Sequence, residues 1–196
     1  MLYKNMDKKH PQWYTMDKRG GGFVKKALIV VDYQKDFVDG ALGFEGAQNP
    51  DAHICEEILR MRQSGGDVLF TYDTHGADYL QTAEGRFLPI AHCIKNTDGW
   101  QLYGKTAEMV DSRSIGFEKS TFGSFELAAY LKSVGYDDIT LVGLVSSICV
   151  LSNAVLARAA LPQATIRIIE KATAAPDPAD HAAAMRLLRG MGFSVE

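Results

Sequence analysis

Five consecutive apolar residues, Ala27-Leu-Ile-Val-Val31, precede Asp32 without a single polar interruption. A strand with one wet face alternates apolar and polar side chains. A β-branched run without alternation therefore belongs to a strand covered on both faces, as in a parallel sheet. Asp67–Tyr72 repeats the pattern and again stops at an aspartate, Asp73; Asp138–Leu144, Ala164–Lys171 and the short Phe193–Val195 extend the series. Helical segments lie between these runs. Asn49-Pro50-Asp51 opens one that carries Ile54, Ile58, Leu59 and Met61 and ends at Gly65-Gly66; others span Ser124–Ser133, Ser147–Leu161 and Ala179–Met191. Strands alternating with helices imply βαβ units and right-handed crossovers. The expected fold is α/β, a doubly wound and mostly parallel sheet with helices on both faces.

The whole chain, 196 residues with 46% hydrophobic and 23% charged side chains, has the size and balance of one ordinary globular domain. No apolar run approaches the ~20 residues of a membrane span. A net charge of -3 provides no general basic surface for nucleic acid. Three cysteines without CxxC spacing point to free thiols in a reducing cytoplasm. The charge is unevenly distributed. Residues 1–26 hold seven Lys or Arg against Asp7 and Asp17, a net of +5, which leaves 14 basic and 22 acidic residues, a net of -8, in 27–196. Residues 1–26 also lack the apolar core of a secretory signal and end near Gly20-Gly21-Gly22. They are expected to form a basic, flexible N-terminal extension, with 27–196 as the single domain.

Ligands of doubly wound sheets bind beyond the carboxyl ends of the strands. That rule selects Asp32, Asp73, His75 and Ser146–Cys149. Cys149 lies where a strand turns into a helix, and unpaired N–H groups at a helix start stabilise a thiolate or an oxyanion. A small buried hydrophobe at the start of a core helix explains it equally well. Asp32 is either a turn residue or a general base beside a thiol. Lys119 has no local signature and reads as a solvated lysine. Asp73-Thr-His75 places two donors on one side of an extended chain, and Glu84 and His92 follow in an irregular stretch of about 30 residues, a length that is uncommon unless functional. Two imidazoles and two carboxylates suit zinc, iron or manganese, although His92 also fits as a turn cap.

Several segments together resemble the isochorismatase-like cysteine hydrolases, and among them the nicotinamidases, over residues 27–195. Ala27 to Phe37 with Gly40-Ala-Leu42 is similar to the family's opening aspartate segment, and Asp73-Thr-His75 to its metal pair. Pro89-Ile-Ala-His92-Cys93 with Thr97-Asp-Gly99 resembles its proline-histidine segment, Lys119 falls where its lysine stands, and Gly143 to Val150 resembles the segment of its nucleophile. The resemblance implies an isochorismatase-like, Rossmann-type three-layer fold and an Asp32–Lys119–Cys149 triad. It further implies an oxyanion hole from the N–H groups of Val145 and Cys149, a cis Leu144–Val145 peptide, and a divalent metal, zinc first, on Asp73, His75, Glu84 and His92. Phe37 would stack on a ring substrate. Glu84 stands in for a third histidine, and Phe87 or Trp100 for a tryptophan that many relatives carry. Cys55 and Cys93 read as packing residues.

The implied activity is hydrolysis of nicotinamide to nicotinate and ammonia through a thioester, as in NAD salvage, in a homo-oligomer. A cysteine hydrolase of another small amide or an N-carbamoyl or ureido compound is the alternative. A silent ligand-binding protein that keeps the motif residues is a third reading.

Overall fold

The computed structural model describes residues 15–16 and 23–196. Its strands are β1 (Thr15–Met16), β2 (Phe23–Val24), β3 (Lys26–Val31), β4 (Asp67–Asp73), β5 (Ile115–Lys119), β6 (Asp138–Leu144), β7 (Thr165–Ala174) and β8 (Ser194–Val195). Its helices are α1 (Lys35–Val38), α2 (Pro50–Gln63), α3 (Ala83–Phe87), α4 (Gly104–Glu108), α5 (Phe125–Val134), α6 (Leu151–Ala160) and α7 (Pro178–Gly190). β1 and β2 pair antiparallel with each other, outside the main sheet. The flexible extension expected over residues 1–26 falls mostly outside the described residues.

The main sheet has six strands in the order β5-β4-β3-β6-β7-β8, and every neighbouring pair is parallel. The chain winds outward from β3 through β4 to β5, then returns to the other side of β3 with β6. The winding reverses between β3 and β6, which is where such sheets open a crevice at their carboxyl edge. The unalternating β3 run is explained by its two neighbours in the layered core. Ala27, Ile29 and Val31 pack with Leu127 and Leu131 of α5, Ala154 of α6 and Met185 of α7. Leu28 and Val30 point the opposite way and pack with Ile54, Ile58 and Met61 of α2. Both faces are dry beyond Lys26, so neither parity of the run 27–31 carries a polar residue. Cys55 and Cys93 are buried free thiols in this interior, as expected.

Helix ends follow the sequence. Ser124 caps α5 by accepting the Leu127 N–H at 3.0 Å, and Gly135 ends it with φ 70°. Asp177 caps α7, with Pro178 in its first turn.

Three features depart from expectation. β5 had no apolar run to announce it: its burial alternates along Ile115-Gly-Phe-Glu-Lys119, as suits an edge strand with one wet face. The expected helix Ser147–Leu161 is divided into a π turn, Ser146–Val150, and α6. The irregular stretch contains a 3-10 turn, Tyr79–Gln81, followed by α3; an isolated bridge at Gln34–Leu102 ties it to the body, and another at His75–Ile94 closes it on itself. At the crevice Gly143 has φ 107°, and a Cβ there would lie 2.1 Å from the Val31 carbonyl oxygen. Only glycine lets β6 press so closely on β3. Among the described residues no helix is long and apolar enough to cross a membrane.

Candidate active site

Four adjacent strands deliver polar residues to one place. Asp32 follows β3 directly and takes φ 42°; Asp73 and Lys119 are the last residues of β4 and β5 and are register partners; Cys149 sits in the π turn after β6. Lys119 occupies the centre. Its Nζ is 2.7 Å from Asp32 Oδ2, 3.2 Å from Asp73 Oδ1 and 3.7 Å from Cys149 Sγ. Lys119, a surface lysine on local sequence alone and a site residue by the family resemblance, is thus buried among two carboxylates and a thiol. Thr71 of β4 donates its hydroxyl to Asp32 Oδ1 at 2.6 Å. The Leu144–Val145 peptide is cis, and the Val145 carbonyl accepts the N–H groups of Ile148 and Val150, each at 3.1 Å.

Burial pushes the Asp32 carboxyl above the ordinary carboxylate range; Lys119 and Thr71 pull it down, while the Asp73 charge adds to the rise. Burial also lifts the Cys149 thiol well above its usual value, Lys119 opposes this, and Asp32 and Asp73 reinforce it. The position at a helix start predicts a depressed thiol; the surrounding low dielectric and the two carboxylates reverse that expectation. For Lys119, burial disfavours the charge, but Asp32, the Cys149 sulfur and Asp73 outweigh it and hold the ammonium. The resting group is therefore a neutral thiol beside a charged lysine. Sulfur attack from such a resting group requires a base to take the thiol proton.

Asp73 faces both ways. Its Oδ1 meets Lys119, and its Oδ2 lies 3.0 Å from His75 Nε2 and 3.3 Å from His92 Nε2. Glu84, in the first turn of α3, brings Oε1 to 3.8 Å from His75 Nε2 and 3.9 Å from His92 Nε2. One donor atom from each of these four residues falls within 4.8 Å of all the others. Ligands at ~2.0–2.2 Å from a common ion sit about 3–4 Å apart, so the donor set fits a divalent metal. Two further observations agree. Glu84 Oε2 is buried and has no hydrogen-bond partner. The Nδ1–H of His92 donates to the Ile90 carbonyl at 2.8 Å, which leaves Nε2 free to ligate. Burial and the Asp73 charge raise the Glu84 carboxyl and outweigh the opposing pull of His75, His92 and Lys119. Phe37 is buried with its ring centre 5.5 Å from that of His92, at the edge of the metal group.

Sequence reasoning assigned no role to several supporting residues. Gln34 clamps Asp73 on both main-chain groups: its Nε2 donates to the Asp73 carbonyl at 2.9 Å, and its Oε1 accepts the Asp73 N–H at 2.8 Å. Asp36 Oδ2 accepts the Cys93 N–H at 2.7 Å, next to the ligand position of His92. Asn153 Nδ2 donates to the Cys149 carbonyl at 2.8 Å. Each contact joins residues distant in the chain or depends on local geometry, and no spacing rule exposes it. Neither proposed tryptophan substitute occupies the metal group: Phe87 is 87% exposed, and Trp100 lies against Tyr72 and donates to Thr74 Oγ1 at 2.9 Å.

Comparison with known proteins gives a consistent result. The isochorismatase domain model matches residues 26–195. An uncharacterized isochorismatase family protein, PncA, from Bacillus subtilis is 32% identical over 146 residues, covering 67% of this chain and 78% of that protein. The crystal structure of nicotinamidase/pyrazinamidase PncA from Bacillus subtilis superposes with a TM-score of 0.80 at 30% identity, over 88% of this chain and 99% of that one. A zinc complex of the pyrazinamidase of Pyrococcus horikoshii shares the fold with a TM-score of 0.77 at 23% identity, over 88% and 98% of the two chains. With the family model spanning nearly the whole sheet, and a relative and a solved structure agreeing with it, this chain belongs to the isochorismatase family of hydrolases.

Proposed function

We propose that the chain is a metal-containing amidohydrolase that converts nicotinamide to nicotinate and ammonia, with Asp32, Lys119 and Cys149 as its catalytic residues. The observation that carries the reading is the buried ammonium of Lys119, in contact with Asp32, Asp73 and Cys149 at once, directly beside a four-donor metal group. The family's nicotinamidase structures support the choice of substrate.

Cys149 Sγ attacks the amide carbonyl carbon as Asp32 accepts the thiol proton. The developing oxyanion is received by the N–H groups of Val145 and Cys149. When the tetrahedral adduct collapses, Asp32 returns the proton to the departing nitrogen, ammonia leaves, and a thioester remains on Cys149. Asp32 then accepts a proton from the water that attacks the thioester, and nicotinate and the free thiol are released. Lys119 keeps its charge throughout and balances the negative charge that passes between Asp32 and the sulfur. Asp73, His75, Glu84 and His92 would hold the divalent ion, with zinc the best match to two imidazoles and two carboxylates and iron or manganese also suited. When bound, the ion supplies a Lewis-acidic position for the pyridine nitrogen, which orients the ring. Phe37, at the edge of that group, packs on the ring face.

The test measures ammonia and nicotinate released by metal-loaded protein from nicotinamide, against a panel of other small amides and N-carbamoyl compounds. The proposal expects nicotinamide to be turned over with the highest kcat/KM. Turnover confined to N-carbamoyl compounds would replace the substrate and leave the chemistry in place; no turnover of any amide would refute the reading.

A further inference from the structure

We infer that His181 is a positioning residue for the reaction: through Ser146 it holds the turn that presents the Val145 N–H and the Cys149 thiol. The inference rests on the catalytic reading above. The turn Ser146–Val150 is closed internally by the two hydrogen bonds to the Val145 carbonyl, which define its shape but not its placement over the sheet. Core packing of Cys149 and Val150, together with two side-chain ties, supplies the placement. At its far end, Asn153 of α6 holds the Cys149 carbonyl and also accepts the Ser124 N–H at 3.0 Å. At its near end, Ser146 Oγ lies 2.9 Å from His181 Nδ1, on α7.

Ser146 is wholly buried, and His181 is its only side-chain partner among the described residues. A buried hydroxyl left without a partner is costly, so the tie is energetically defined. A serine hydroxyl donates to a bare Nδ1 and accepts from a protonated one, so the bond persists in either state of the imidazole. The ring is itself fixed from behind. Its Nε2 stands 3.8 Å from Glu170 Oε1 on β7, and Arg189 donates to Glu170 Oε2 at 2.6 Å. α7 thereby reaches the start of the nucleophile turn by one short bond, without touching the reacting atoms.

The experiment compares wild type with Ser146→Ala, His181→Ala, the double variant and His181→Asn, whose amide reaches the level of Nδ1. His181→Ala is expected to lower kcat roughly 10- to 100-fold, because small misplacement of a reacting group carries losses of that order. KM is expected to stay within about threefold, Ser146→Ala to match it, and the double variant to be no worse than the weaker single one. His181→Asn is expected to recover most of kcat. Hydrogen exchange of the amides of residues 145–150 is expected to speed up about tenfold in His181→Ala, with β3 unchanged. Unaltered exchange in the turn, additive losses in the double variant, or a fall in kcat that His181→Asn does not relieve would overturn the inference. If wild type hydrolyses no amide, the catalytic reading fails instead, and the exchange measurement still decides whether His181 holds the turn.

Discussion

Replacing Lys119 by Met removes the ammonium and keeps most of the volume of its stem. In the native site the side chains of Lys119, Asp32 and Asp73 are 1%, 0% and 4% exposed, and Nζ lies 2.7 and 3.2 Å from the two carboxylates. At an effective dielectric of 20, unit charges about 3 Å apart attract by about 5 kcal/mol. Desolvation offsets much of that attraction in the intact pair, but removing Lys119 leaves the Asp32 charge buried beside Asp73 without its counter-charge. The expected loss is about 3–5 kcal/mol. For a chain of this length that corresponds to a fall in Tm of roughly 6–20 °C. The pH dependence follows from the directions of the shifts. Lys119 is raised in the folded state, so its contribution is complete at neutral pH and is lost only as pH rises past its ordinary range. Asp32 is already raised and rises further without Lys119; a group of that kind stabilises when protonated and loses its contribution as pH increases through its folded value. The variant is therefore most destabilised under alkaline conditions and recovers part of the deficit on acidification. Urea unfolding of metal-stripped wild type and Lys119→Met at about pH 5 and about pH 8 measures this. A deficit under about 1 kcal/mol at the higher pH, or one that grows towards the lower, refutes the central placement of the charge.

Three further substitutions probe other parts of the site. Thr71→Val removes the 2.6 Å hydrogen bond that lowers the Asp32 carboxyl, so the acid limb of the pH–rate profile moves to higher pH; an unmoved limb contradicts the assignment of Asp32 as the base. Glu84→Ala weakens zinc binding at least about tenfold in a chelator competition, and equal affinity would exclude Glu84 as a ligand. Gly143→Ala forces a Cβ against the Val31 backbone at a positive φ and costs about 2–6 kcal/mol in denaturant unfolding; a neutral result would mean β6 has room to withdraw from β3.

The doubly wound sheet was legible because β3, β4 and β6 are buried on both faces along most of their length and carry apolar runs no surface strand would have. Asp32 and Cys149 were legible for a related reason: each ends or follows such a run at the carboxyl edge. Lys119 was not, on local grounds. β5 lies at the sheet edge, with Gly116 and Glu118 exposed, and the burial of its last residue comes from Asp32 and Asp73 on other strands. Only the resemblance of the surrounding segments pointed to it. The thiol's upward shift escaped the sequence because it depends on burial and on two carboxylates that the fold brings in from β3 and β4. Gln34 and His181 act through contacts spanning 39 and 35 positions of the chain, a separation at which spacing carries no signal.

In the proposed reaction Cys149 forms a thioester with the acyl part of the amide. Metal-loaded enzyme mixed with nicotinamide, quenched in acid during turnover and digested for mass spectrometry, tests it directly. A nicotinoyl mass is expected on the peptide bearing Cys149, absent when Cys149 is replaced by Ala and cleared once substrate is exhausted. Ammonia release at full rate with no adduct on Cys149, or undiminished release by Cys149→Ala, would contradict it.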